Sequence, residues 1–504
     1  MANPDRAAIF ANSPMNTRTD RPMTTALHYQ SATEIASQIV RRKVSAREVL
    51  EHFLARIEKH NPALNALIWI DQDGARRTAD EADEALSRGQ VWGPLHGVPM
   101  TIKESYQIAG SPTTWGNPEF RNNVTDTDAV SVQRLKKAGV NLFGKSNVPF
   151  MLADWQTFNE IYGTTNNPWD LSRTPGGSSG GSAAALSAGL TALEAGSDIG
   201  ASIRNPAHYC GVFGHKPTYG VVTPRGQSLP DSYAGADISV IGPMARSAAD
   251  LEAAMRVMAG PDDVDAIGWS LNLPASRRRR LSDFRVAVKL GDPNCDVDAG
   301  YADALQALVD RLAQAGATVQ EIEPAVDTTA LYENYVLLLR AATSGRLPPE
   351  MLALSEEVLK RNDDGSYLYR MARGNLLSHR DWLGHNNERH RLRYVFADFF
   401  KEWDILLCPA AAGPAWPQNE AGVRHDRTID VNGKQVFGTD QMFWAGYSCS
   451  TYQPSTVGPA GLVGGLPVGY QAITGQYLDY TAIEFAKLVE QEITGFQPPP
   501  GYNG

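Results

Sequence analysis

Two hydrophobic rhythms run along the chain. Val49, Leu50, Phe53, Leu54 and Ile57 recur at helical spacing behind Ser45-Ala46-Arg47-Glu48. That tetrad is a capping box, in which serine and glutamate satisfy each other's backbone donors. Pro62 is expected just beyond the end of this helix. Ala-rich Asp73–Arg88 predicts a second helix. Val98–Lys103 is a short apolar run ending in lysine and predicts a strand. Thr127–Ala138 predicts a helix stopped by Gly139, with a strand at Val140–Phe143. Ser182–Leu190 predicts a helix of small residues, which must pack closely against its neighbours. Later come a strand at Phe284–Leu290, a helix near Tyr301–Ala315 and a strand at Thr318–Ile322. From Thr328 to Trp403 the pattern is almost entirely helical. Strand pattern resumes at Asp404–Cys408 and at Val468–Ile473, followed by a helix at Tyr480–Glu490.

Strands alternating with helices predict an α/β fold: a single large domain with a central mixed, mostly parallel β-sheet covered by helices. Its expected extent is residues 26–495, with 328–403 as a helical cap or insertion. Residues 1–25 read as a disordered N-terminal extension and 496–504 as a C-terminal tail. At roughly 150 residues per domain the length would suggest about three domains, but large α/β enzymes often exceed that prior.

Charge narrows the partners. Lys plus Arg is 46 and Asp plus Glu is 56, a net charge of −10. An acidic balance argues against nucleic acid, since phosphate binding needs a basic surface. The one basic run, Arg277–Arg280, sits in a predicted loop and reads as a solvated charge run. No stretch of about 20 apolar residues exists to span a membrane. Met1–Pro22 is charged and has no apolar segment of the kind a secretory signal needs. Cys210, Cys295, Cys408 and Cys449 are scattered without zinc spacing, so they read as reduced, buried thiols of a cytoplasmic protein. Neither a metal nor a cofactor is expected.

Glycine carries the chemical signal. The densest window is Pro175-Gly176-Gly177-Ser178-Ser179-Gly180-Gly181-Ser182. A flexible linker fits poorly, because the segment is short and runs straight into an apolar helix. A phosphate cradle lacks both the P-loop lysine pattern and a dinucleotide fingerprint. Gly176–Gly180 formally matches G-x-S-x-G, with His208 and His215 as imaginable bases, but a loop precedes it where a nucleophile elbow needs a strand.

The complete run Gly176–Ala184, followed by Asp198-Ile199-Gly200-Ala201-Ser202-Ile203-Arg204-Asn205-Pro206-Ala207, resembles the amidase signature family. So do Gly214–Gly220, Pro94–Pro99 leading to Lys103, and Gly465–Gln471, all in that family's order. The resemblance implies a Ser–Ser–Lys triad: Ser202 as nucleophile, Ser178 as a bridging serine with a cis peptide bond, and Lys103 as base. It also implies an oxyanion hole from the amides of Ile199, Gly200, Ala201 and Ser202, with Ser179, Asp198 and Arg204 bracing from behind. The chemistry is coherent. Serine needs a neighbour to take its proton, a lysine can do so only when burial keeps it neutral, and a hydroxyl can accept and donate at once. The flanking glycines are expected to supply backbone freedom. One departure is Ala201, where family members usually have glycine; the hole is expected to survive if this residue has a negative φ.

The implied function is amidase activity on the C–N bond of a carboxamide. Candidate pocket residues are Trp155, Tyr162, Tyr332 and Trp444, from aromatic-rich segments that suit apolar ligands. They point to a bulky, apolar or aryl amide or anilide, with carbamates and esters in the same reaction class. The expected partner is a small-molecule amide, with neither nucleic acid nor membrane, and the chain is a candidate homodimer. The alternatives are the amidase subunit of a glutamine-dependent tRNA amidotransferase and a non-catalytic protein on the same fold.

Overall fold

A computed structural model describes residues 26–503. Its centre is an eight-stranded sheet in the order Thr318–Glu321, Arg285–Val288, Ile405–Pro409, Leu466–Ile473, Ser455–Val463, Phe213–Lys216, Val240–Ala245 and Glu194–Asp198. The sheet is mixed, as expected, but it is not mostly parallel. Only the first two pairings are parallel, and the other five are antiparallel. One cause is the hairpin Ser455–Val463/Leu466–Ile473. Its two-residue turn, Gly464-Gly465, has φ of 58° and 81° and reverses the chain directly.

A smaller sheet orders Leu67–Ile70, Asn141–Ser146 and Pro99–Lys103, the last two parallel. Side-chain bonds join it to the large sheet. Thr101 N donates to Thr191 Oγ1 at 3.0 Å, and Thr101 Oγ1 donates to Glu194 Oε1 at 2.5 Å.

The helices follow their sequence signals closely. Ser45 and Glu48 form the capping box of Ala46–Leu64, which buries Val49, Leu50, Phe53, Leu54 and Ile57. Burial of each such side chain is worth about 1.5–3 kcal/mol. This helix runs through Pro62 instead of stopping before it, and ends at Asn65 in a left-handed cap. In the last turn the missing N–H of proline costs only one intrahelical bond. The small-residue helix Gly180–Ser187 is buried along its whole length.

Four helices fill the expected cap: Thr328–Thr343, Pro349–Leu359, Tyr367–Asn375 and His379–Glu402. The first is packed into the core that also holds Trp155, Ala201 and Met442. The expected N-terminal extension lies outside the described residues. The C-terminal tail is docked, with the Tyr502 carbonyl accepting from Tyr29 Oη at 2.9 Å and from Arg56 Nη2 at 2.8 Å. In the basic run, Arg278 pairs with Asp404 and Arg280 with Asp283, each at 3.0 Å. Among the described residues no helix is long and apolar enough to cross a membrane.

Candidate active site

The strand Pro99–Lys103 is buried end to end and delivers Lys103 to the junction of the two sheets. Lys103 Nζ has three serine hydroxyls around it: Ser178 Oγ at 2.6 Å, Ser179 Oγ at 2.9 Å and Ser197 Oγ at 3.0 Å. Burial pushes its pKa down to about 7, against the raising pull of Asp198, Glu194 and Glu104. Burial also raises Glu194 to about 8, which weakens its pull on Lys103. Ser197 was not a sequence-level candidate. Its position in the strand before Asp198 was the available signal.

Ser178 and Ser179 lie in the loop that enters helix Gly180–Ser187, and the Gly177–Ser178 peptide is cis. The neighbouring glycines serve close packing more than backbone freedom. Only Gly176 among Gly176, Gly177, Gly180 and Gly181 has positive φ, at 85°. A Cβ on Gly177, Gly180 or Gly181 would lie 2.2–2.4 Å from Asp154 O, Thr157 Oγ1 or Asn147 N.

Ser202 stands in the turn before the buried helix Arg204–Cys210. The Ser179 amide donates to its carbonyl at 3.1 Å. Burial is graded: Lys103 0%, Ser178 1% and Ser202 5% exposed, so Ser202 is the least enclosed of the three. Among the described residues no hydrogen bond joins Ser202 Oγ to Ser178. Catalytic contacts are commonly long before substrate binds.

Asp198 organises this turn. It accepts from the Ala201 amide at 2.9 Å, the Ile203 amide at 3.1 Å, Arg204 Nε at 3.0 Å and Arg204 Nη2 at 2.9 Å. Burial pushes its carboxyl up, but the charge and hydrogen bonds of Arg204 outweigh this and hold it below the usual value. Arg204 is anchored in turn by Gln471 Oε1 at 2.6 Å and Ser448 Oγ at 2.9 Å.

Two more side chains hold the turn from outside. Tyr335 Oη donates to the Ile199 carbonyl at 3.0 Å, and Trp155 Nε1 donates to the Gly200 carbonyl at 2.7 Å. A peptide's N–H points opposite to its C=O, so fixing the Ile199 carbonyl aims the Gly200 N–H the other way. The amides of Ile199, Gly200 and Ser202 have no acceptor among the described residues. The Ala201 amide is already committed to Asp198 and is not a free donor.

Known proteins with the same layout settle the family. The Amidase family model matches residues 48–483. The chain belongs to the amidase signature family. An indoleacetamide hydrolase of Bradyrhizobium diazoefficiens is 32% identical over 467 residues, covering 91% of this chain and 86% of its own. One subunit of the glutamyl-tRNA(Gln) amidotransferase of Carboxydothermus hydrogenoformans is 31% identical over 492 residues, covering 92% and 97%. A solved 6-aminohexanoate cyclic dimer hydrolase with bound substrate has a TM-score of 0.77 at 26% identity, covering 95% of this chain and 100% of its own. The protein is thus an amidase-family hydrolase acting on carbon–nitrogen bonds.

In this amidase Ala201 has a φ of 66°, so the condition of a negative φ is not met. The Asp198 carboxylate pulls its N–H inward, and its side chain is buried in the apolar cluster of Trp155 and Tyr335. Gly200 packs closely here, since a Cβ there would lie 2.8 Å from the mobile end of Met442, Cε, and 3.3 Å from Tyr335 Oη. Of the expected pocket residues, Trp155 touches the turn, and Tyr332 lies in the same cluster, edge-on to Phe443 at 5.8 Å.

The other two are corrected. Tyr162 sits among Thr114, Glu104 and Arg121, because its short hairpin is tied to Asn65. Trp444 is fully buried against Phe443 and Tyr447 and belongs to the core. Met442 and Tyr335 take their place beside the turn. The imagined histidine bases have their ring nitrogens spent elsewhere. His208 bonds Gly469 N and Gly413 O, and His215 bonds Thr456 and Asp479.

Proposed function

We propose that this amidase hydrolyses a carboxamide through a Ser202 acyl-enzyme, with Ser178 and Lys103 as the proton relay. The observation that carries this reading is a fully buried lysine with three serine hydroxyls at its Nζ and a pKa pushed down to about 7. A neutral amine has one lone pair, so Ser178 can give its proton to Lys103 as it takes one from Ser202. Ser202 Oγ bonds to the substrate carbonyl carbon and the negative charge moves onto the carbonyl oxygen. The free amides of Ile199, Gly200 and Ser202 meet that charge, each worth about 3–4 kcal/mol where such donors have been removed. The relay returns its proton to the departing amine, and water then cleaves the acyl ester by the same route.

The substrate reading is an amide or anilide with a bulky, apolar or aryl portion, supported by Trp155 and Met442, which line the cavity beside the turn. Carbamates and esters present the same attackable carbonyl. The identity to one chain of an amidotransferase supports a second reading, glutaminase activity within a larger assembly.

The deciding experiment incubates the purified chain with a panel of anilides, alkyl amides, carbamates, esters and glutamine, with Ser202→Ala as control. Hydrolysis of an anilide that Ser202→Ala abolishes supports the first reading, and turnover of glutamine alone supports the second. Activity surviving in Ser202→Ala would overturn the assignment of the nucleophile.

A further inference from the structure

Most arginines close to the site have a carboxylate. Arg427 pairs with Asp154 at 2.5 Å, and Arg373 pairs with Glu333. Two do not. Arg340, on the helix that carries Tyr335, and Arg424 both donate an Nη2 hydrogen to the hydroxyl of Tyr367. Their guanidinium carbons lie 5.3 and 5.8 Å from the centroid of the same ring. Arg424 spends its Nη1 on the Ala153 carbonyl at 2.8 Å. Arg340 Nε is buried without a hydrogen-bond partner. Neither arginine forms an ion pair among the described residues.

This is an unsatisfied arrangement. Two like charges share one neutral phenol, both side chains are partly buried, and the carboxylate that acts on Arg424, Asp154, is already paired with Arg427. Burial and the nearby charge of Arg424 push Arg340 down to about 9, the response of a site that lacks an anion.

Arg424 brings the pair towards the catalytic turn, and Arg340 joins it through Tyr367. Arg424 lines a cavity of about 30 Å³ together with Trp155, Trp416, Met442 and the Arg427–Asp154 ion pair, room for one small polar group. Trp155 bonds the Gly200 carbonyl and Met442 abuts Gly200. The inner walls of the cavity are thus the side chains that touch the turn.

We propose that Arg340 and Arg424 form a carboxylate subsite, so that the preferred substrate is an amide whose acyl chain ends in a carboxylate. The inference rests on amide hydrolysis at Ser202 and deepens it. Apolar walls hold the body of the acyl group, and the arginines hold its far end. A carboxylate offers about four lone-pair sites, enough to accept from both guanidiniums at once.

The test compares two p-nitroanilides on the wild-type enzyme. One is the mono-anilide of glutaric acid, and the other carries an isopropyl group in place of the free carboxylate. The wild type is expected to prefer the carboxylate substrate by about tenfold or more in kcat/KM. Arg340→Gln and Arg424→Gln should each bring that ratio towards unity, and Arg424→Lys should keep part of it. Equal or reversed preference in the wild type, or an unchanged ratio in both Gln variants, would overturn the proposal.

Two measurements keep it separate from the hydrolytic reading. Labelling of Ser202 by a fluorophosphonate tests that reading without any anilide. Glutarate should raise the Tm of the wild type and leave that of Arg424→Gln unmoved, whether or not either anilide is cleaved. No shift in the wild type counts against the subsite.

Discussion

Lys103 shows how a single burial sets a chemistry. A solvated lysine is charged at neutral pH and cannot take a proton. Here desolvation outweighs the three carboxyl groups that favour the cation, and the pKa falls to about 7. In the proposed relay the active form is the deprotonated one, which fixes the sign: kcat/KM rises with pH through 7 and levels off above it. Below 7 it should fall about tenfold per unit, to roughly a hundredth of the plateau at pH 5. A kcat/KM profile from pH 5 to 9 on a substrate with no titrating group checks this, and undiminished activity at pH 5 would remove Lys103 as base. Ala201 makes a second residue-scale case. Its φ of 66° costs an L-residue about 1–2 kcal/mol, partly offset by the greater chain entropy that glycine loses on folding. Ala201→Gly should therefore raise unfolding stability by up to about 1 kcal/mol and leave the enzyme active, read from the denaturant midpoint. A destabilised variant would mean that the methyl's packing outweighs the backbone strain.

At the scale of elements, most helices and half of the large sheet were legible, although helices such as Ala32–Val40 and Ala248–Met258 were not. Helices announced themselves by local signals, such as the Ser45–Glu48 box and the apolar stripe from Val49 to Ile57. Glu194-Ala-Gly-Ser-Asp198 and Phe213-Gly-His-Lys216 carry few β-branched residues, and Ser455–Val463 is broken by Gly458, Pro459 and Gly461. These strands exist because distant neighbours pair with them, which no local window records. The site divides the same way. Lys103, Ser178 and Asp198 lie in motifs that could be read off the chain, whereas Ser197 and Tyr335 enter through tertiary placement. The cap helix Thr328–Thr343 therefore does more than cover the cleft, because its Tyr335 holds the Ile199 carbonyl. Tyr335→Phe keeps the ring and removes that bond, freeing the Gly200 amide to tilt. The expected result is a fall in kcat of about tenfold with little change in KM, since the lost interaction matters when charge develops on the substrate oxygen. Steady-state kinetics on the best anilide of the panel decide it, and a rise in KM at constant kcat would assign Tyr335 to substrate binding instead.

For the molecule as a whole, the ends of the described chain close over the helix that begins at the serine loop. Arg56 is buried and donates to the carbonyls of Ala188 and Gly189, at the C-terminal end of Gly180–Ser187, and also to the Tyr502 carbonyl. A cation at that end of a helix is favourably placed against its dipole. The tail thus supports Arg56 from one side while Arg56 supports the helix from the other. Deleting Gln497–Gly504 would remove the Tyr502 carbonyl from both Arg56 and Tyr29 and with it the Tyr502 ring, which packs 5.0 Å from His60. A lost hydrogen bond to a charged group costs about 1.5–3 kcal/mol, and the lost burial about 2 more. The truncated protein should therefore be destabilised by about 3–5 kcal/mol in denaturant unfolding. Its kcat at 25 °C should remain near that of the full chain, because the reacting groups lie at the opposite end of the helix. A truncation that lowers kcat without moving the unfolding midpoint would instead couple the tail directly to the serine loop.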